Sequence, residues 1–224
     1  MINIVGVLLE RIYTSLATSQ SVCPADLIFV LAGLPERKRY GWELFQRGLA
    51  PLLLLSVGRW EARFLKVRTG LPEDGNIVSL LPLPPEKENH IFCWVSQDEV
   101  STKVVRLPEV NTFGEIAALA KIIREHGIQH ILLISTDVHL RRIRYAVRKL
   151  FDPIRIHVTY VGVPDELSSF HRHRWWSRER DIWLVISEWI KLIGYHLKYG
   201  MLRWHQRYKP YFLGSSVRDL HRFE

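Results

Sequence analysis

Two cysteines among 224 residues are too few for a disulfide framework. Cys23 and Cys93 stand in no CxxC or mixed His/Cys spacing, so they are expected as partly buried thiols in a reducing compartment. No standard cofactor fingerprint occurs either: GxGxxG, GxxxxGKS/T, GxSxG and HExxH are all missing. That argues against a conventional P-loop nucleotide enzyme and against a zinc hydrolase. His171-Arg-His173 is an HxH pair that could bind a metal from a strand, but it has no third ligand nearby, and no metal site is expected. Long apolar runs are lacking as well. The first is cut by Glu10 and Arg11 and has no basic region before it; the most apolar later stretch, Asp181 to Leu197, is broken by Glu188 and Lys191. The expectation is a soluble cytoplasmic protein, associated with the inner face of a membrane at most.

What is present is an ordinary globular composition with an uneven charge. Hydrophobic residues make up 47% and charged residues 24% of the chain, which excludes a disordered or collagen-like protein. The formal net charge is +8. Residues 1–139 carry 14 basic and 15 acidic side chains, whereas residues 140–224 carry 17 and 8. The last third holds the whole surplus.

Short apolar runs alternate with helical patterns. Asp26 to Gly33, Pro51 to Gly58, His130 to Asp137 and Ile154 to Val163 read as strands. The first two are apolar throughout, as expected when helices cover both faces of a parallel sheet. Pro35 to Leu49, Trp60 to Val67, Thr112 to about Gly127, the basic stretch to about Leu150, and Asp181 to Met201 read as helices. Thr112-x-x-Glu115 has the form of a capping box. The order predicts an α/β fold: a three-layer Rossmann-like arrangement with a mostly parallel sheet flanked by helices. Residues 1–24 form an N-terminal helical segment, 25–200 the α/β domain, and 201–224 a basic aromatic tail. Turn-rich 71–110 reads as an irregular excursion, with short strands at Ile91 to Ser96 and Lys103 to Leu107.

Ligands of open parallel sheets bind beyond the carboxyl ends of the strands, where helix N-termini also point. Strand one ends at Ala32-Gly33 and strand two at Ser56-Val57-Gly58. Strand three ends at Ser135-Thr136-Asp137-Val138-His139, with Arg142 one turn further on, and Asn111-Thr112 opens the helix expected at the same edge. Gly33 and Gly58 equally suit tight turns, Ser135 and Thr136 suit local capping, and the arginines of 141–148 suit a solvated helix face. Asp26 lies at the opposite end of its strand and receives no ligand role.

The same pieces, in this order, resemble the YdcF-like family, which includes SanA and ElyC. The resemblance covers roughly residues 25–200 and rests on several matching pieces. They are Asp26 to Gly33, Arg37 and Arg39 leading into Glu43-Leu44-Phe45-x-x-Gly48-x-Ala50-Pro51, Ser56-Val57-Gly58, Asn111-Thr112-x-x-Glu115, Ser135-Thr136-x-x-His139-x-x-Arg142, and a late helix bearing Glu188. Gly33 stands alone where the family usually has two glycines, Val57 replaces a glycine, and Ser135-Thr136 reverses the usual pair. The resemblance implies a Rossmann-like fold and S-adenosylmethionine as a candidate ligand, with no agreed reaction. SanA and ElyC carry a membrane-spanning N-terminal helix that has no counterpart here.

The first functional reading is therefore a site for an anionic or nucleotide-like small molecule, such as S-adenosylmethionine or a phosphorylated envelope precursor. Gly33, Gly58 and the Asn111-Thr112 helix start would supply backbone donors, Ser56, Ser135 and Thr136 hydroxyls, and Arg37 and Arg142 positive charge. His139 is the candidate acid or base of a transferase or phosphate-ester hydrolase, with Glu188 orienting Arg142 or His139. The second reading uses the interleaved basic and aromatic residues of 171–211 against an anionic membrane surface. Nucleic acid comes last, since no recognised binding motif supports it.

Overall fold

Apolar side chains on both faces of a strand need cover on both sides, and the chain supplies it. The structure, a computed structural model, describes residues 4–58, 61, 89–151 and 156–200. In it, β1 (Leu27–Val30), β2 (Leu52–Val57), β5 (His130–Ser135) and β6 (His157–Gly162) run parallel. Leu27 pairs with Leu52 on one side and Ile131 on the other, which makes β1 a central strand. β3 (Asn89–Val95) and β4 (Val100–Arg106) add antiparallel at the β2 side. The six-stranded order is β4-β3-β2-β1-β5-β6. This is the expected α/β architecture, with a mixed but mostly parallel sheet.

Three helices cover the two faces. Leu27, Phe29 and Leu31 pack with α3 (Thr112–His126) and α4 (Leu140–Phe151), while Ile28 and Val30 pack with α2 (Pro35–Gln46) on the other side. A third cluster joins α1 (Ile4–Thr14) to the start of α5 (Glu179–Gly200) through Tyr13, Leu16, Phe170, Trp175 and Val185. Pro35 opens α2 at a position where its missing N–H costs nothing.

Four expectations change. Residues 89–106 are no excursion: they are a hairpin of the main sheet. β4 is an edge strand with mostly exposed side chains, so the sequence showed only its part from Lys103 and not its membership of the main sheet. The capping box is also replaced. Asn111 is the cap, its side chain accepting from Gly114 N at 3.0 Å, which frees Thr112 and Glu115 for longer-range partners. His139 closes a short 3-10 turn (Asp137–His139) ahead of α4. His171 and His173 belong to another 3-10 segment (Arg172–Ser177 with its cap) rather than a strand. The expected helix at Trp60 to Val67, apart from Glu61, and the tail at 201–224 lie outside the described residues, as do residues 152–155.

Candidate functional site

The sheet order changes direction at β1: the chain passes to β2 on one side and later returns as β5 on the other. A crevice beyond the carboxyl ends of such a strand pair is where α/β folds place ligands. Here it is a cavity of about 240 Å³ whose polar lining comes from Gly33, Arg37, Thr112, Ser135, His139 and Arg142.

Two guanidinium groups occupy it in different electrical states. Arg142 is held by Glu188, with Nε to Oε2 at 2.8 Å and Nη2 to Oε1 at 3.2 Å. Its Nη1 also donates to Thr112 Oγ1 at 2.5 Å, and its head lies 5.5 Å from the Tyr195 ring. Arg37 is 5% exposed and has no carboxylate in direct contact among the described residues. Its Nε donates to Thr136 Oγ1 at 2.9 Å and Nη1 to the Ala32 carbonyl at 2.6 Å. Burial pulls its pKa down, while the charges of Glu61 and Glu115 support the ionised form. Gly33, at φ 140°, is what lets this guanidinium lie so close, because a Cβ there would stand 2.5 Å from Arg37 Nη1.

Between the two arginines stands His139. Its Nδ1 is 3.0 Å from Glu188 Oε2 and 3.4 Å from Arg142 Nη2. The shorter contact, to a carboxylate, decides the tautomer: Nδ1–H donates to Glu188, and Nε2 keeps its lone pair. Burial and then the charge of Arg37 push the imidazole pKa down to about 4, so the ring is neutral near pH 7. Burial alone would raise Glu188, but its bonds to His139 and Arg142 hold it well below the usual carboxylate range. Ser135 Oγ, also in the lining, is fully buried and has no hydrogen-bond partner among the described residues.

The remaining expected residues lie outside this lining. Thr136 accepts from Arg37, and Glu188 braces His139 and Arg142. Ser56 points to β3, 3.2 Å from His90 Nδ1. Asn111 is spent on its cap and on bonds to Glu109 and Tyr199. The backbone donors expected at Gly33 and Gly58 are already used: both amides donate to Glu61 Oε2, at 3.1 and 3.3 Å. The α3 N-terminus is similarly committed, with Gly114 N on Asn111 and Phe113 N on Tyr195 Oη at 3.3 Å. Side chains, not backbone amides, are what this cavity offers a ligand. Asp26 caps the far edge of the sheet, its Oδ2 accepting from Gln129 N and His130 N at 2.8 Å each.

Three structural residues were not foreseen. Glu61 reaches the amides of Gly33 and Gly58 and pairs with Lys38, a fully buried lysine that also donates to the Leu31 carbonyl at 3.0 Å. Glu115, freed from the cap, accepts from Ala32 N at 2.8 Å. Glu61, Lys38 and Glu115 together fix the loop after β1. Glu115 was expected as half of a capping box, and nothing local in the sequence pointed Glu61 or Lys38 to these partners.

No protein-family profile, curated protein or solved structure matches the chain.

Proposed function

We propose that the cavity binds the anionic group of a small molecule, a phosphate or carboxylate, and that His139 exchanges a proton with it. The observation that carries this is Arg37, a buried cation lining the cavity without a carboxylate in contact among the described residues. A buried charge is costly until it is paired, so an incoming anion gains what the protein leaves unmet. Ser135 Oγ offers a second unmet hydrogen bond in the same space. The neutral His139, braced through Nδ1, presents Nε2 as the base of a hydrolase or transferase step. The same residues carry the resemblance to the YdcF-like family, which supports a small-molecule site of this kind. A volume of about 240 Å³ lies below the usual range of about 300–1,000 Å³ for whole-ligand pockets and suits an anionic head group better than a complete nucleoside.

Thermal melts of the full chain with inorganic phosphate, adenosine monophosphate and S-adenosylmethionine test the reading. An anion that binds the folded state raises the melting temperature progressively with concentration. The rise should be absent in Arg37→Gln and smaller in Ser135→Ala, which removes a hydroxyl with no hydrogen-bond partner among the described residues and so leaves folding intact. If none of the three probes raises the melting temperature, or if the rise is the same in both variants, the proposal is wrong.

A further inference from the structure

Along α5 the exposed face carries an apolar stripe of its own, besides the apolar residues of the buried face. Val185, Leu192, Tyr195 and Tyr199 face the protein. Trp183, Ile186, Ile190, Ile193 and Leu197, spaced alternately three and four apart, lie on the outside at 41–63% exposure. That spacing is one continuous stripe on a helix. A surface this apolar on one element marks an interaction site. It borders a groove of about 610 Å³ whose one wall is Trp189, Ile193 and Leu197 and whose other is Arg141, Arg144 and Arg148 of α4. Ile193 and Leu197 thus belong to both the stripe and the groove. The three arginines are exposed on one side of α4, and none is paired with a carboxylate among the described residues. Arg141 donates to the Ser15 carbonyl and Arg144 lies over the Tyr160 ring, contacts that place the charges without neutralising them.

We infer that this face, the α5 stripe with the α4 arginines beside it, docks on the surface of an anionic lipid bilayer. Apolar side chains of a helix lying in the interface enter the acyl boundary, while arginines at its margin meet the phosphates. Charge complementarity selects this occupant over a second copy of the chain. An antiparallel pair of copies joined along the stripe would bring two rows of unneutralised arginines to one seam, where they repel, whereas anionic headgroups meet a single row in any orientation. Among the described residues no helix is long and apolar enough to cross a membrane, so the contact is a superficial one. The inference is independent of the anion site, which lies at the sheet edge.

Co-sedimentation of the full chain with phosphatidylcholine vesicles, and with equimolar phosphatidylcholine and phosphatidylglycerol vesicles, tests it. Binding is expected to the mixed vesicles only, and to fall as salt is raised. Arg144→Gln with Arg148→Gln should lower the partition constant about twentyfold or more, from roughly one kilocalorie-scale contact per arginine. Ile190→Asp with Ile193→Asp should abolish sedimentation, while circular dichroism shows both variants folded, as these side chains are exposed. Absence of binding to the mixed vesicles overturns the inference. So does binding that both variants retain, which would assign it to other residues. A wild-type dimer that Ile190→Asp dissociates, without vesicle binding, would give the stripe to a second copy and overturn it equally.

Discussion

His139 Nδ1 donates across 3.0 Å to Glu188 Oε2, a contact that orients the ring, while burial keeps the ring neutral against the pull of that carboxylate. Its pKa falls from the ordinary 6.5 to about 4, with burial as the first cause and Arg37 as the second. The unfolded chain therefore binds a proton at this position at pH values where the folded one does not. Stability from this residue is complete above about pH 6.5 and is lost as pH falls toward 4, at up to about 1.4 kcal/mol per pH unit for the proton involved. His90, also lowered by burial, acts in the same direction. Urea denaturation at pH 7, 5.5 and 4.5 should show a steeper loss in the wild type than in His139→Asn, which cannot titrate. Equal slopes would mean that His139 is not held neutral.

Lys38 and Glu61 form the second buried charge pair, and the two ends are not equivalent. Glu61 also accepts from the amides of Gly33 and Gly58, so it serves three partners, whereas Lys38 has one further acceptor in Leu31 O. Removing the carboxylate strands a fully buried ammonium, a loss of about 3–5 kcal/mol. Lys38→Met leaves Glu61 with two amide donors and should cost less. The double variant should recover part of the Glu61→Gln loss, because no charge is then stranded. Denaturant titrations of the four proteins give the coupling; strictly additive losses would show that the pair does not act as a unit.

How legible this was in the sequence depends on the distance over which each contact acts. The stretch from Ser135 to Arg142 is local: a strand end, one tight turn and a helical i,i+3 step place His139 beside Arg142, and periodicity is enough to read it. β1 and β2 were equally plain, since each is a nearly continuous apolar run, and β5 and β6 stood out through their β-branched and apolar residues. β4 was legible only as a short strand from Lys103, and its full length and place in the main sheet were not, because an edge strand has only one neighbour and its side chains largely face water. The partners of Glu61 and Glu115 at Gly33, Gly58 and Ala32 could not be assigned, since they depend on how the ends of β1 and β2 meet the glutamates. For the same reason Gly33 and Gly58 looked like free donors. A glycine after a strand announces close approach, but not whether a ligand or a glutamate makes it.

Cys93 is fully buried on β3, and burial pushes its thiol up to about 12. A thiolate is the reactive species, so this residue should be inert in the folded protein. Cys23 is only partly buried, with Thr159 Oγ1 3.5 Å from its sulfur. Titration with Ellman's reagent at pH 8 should count no more than one thiol in the native chain and two in guanidinium. Mass spectrometry should place the native label on Cys23. Rapid native labelling of Cys93 would contradict the packing of β3 between β2 and β4.

Gly114 and Gly194 both lie within helices, and their opposite surroundings give an internal control. A Cβ at Gly114 would stand 2.0 Å from the Glu109 carbonyl oxygen and 2.8 Å from its backbone nitrogen. Those are backbone atoms, so no side-chain rotation can relieve the overlap, and the turn before α3 must shift. That turn carries Asn111, whose side chain caps the helix, and leads into Thr112, which receives Arg142. Gly114→Ala should therefore cost about 2–3 kcal/mol as an overpacking substitution, despite the better helix propensity of alanine. At Gly194 an added Cβ meets nothing within 4 Å. Gly194→Ala should instead stabilise the chain by up to about 1 kcal/mol, the propensity difference alone. If the anion site is as described, the Gly114 variant should also weaken the phosphate-induced rise in melting temperature by displacing Thr112 from Arg142, and the Gly194 variant should leave that rise unchanged. Equal stability of the two variants would show that the chain before α3 does not approach Gly114 closely.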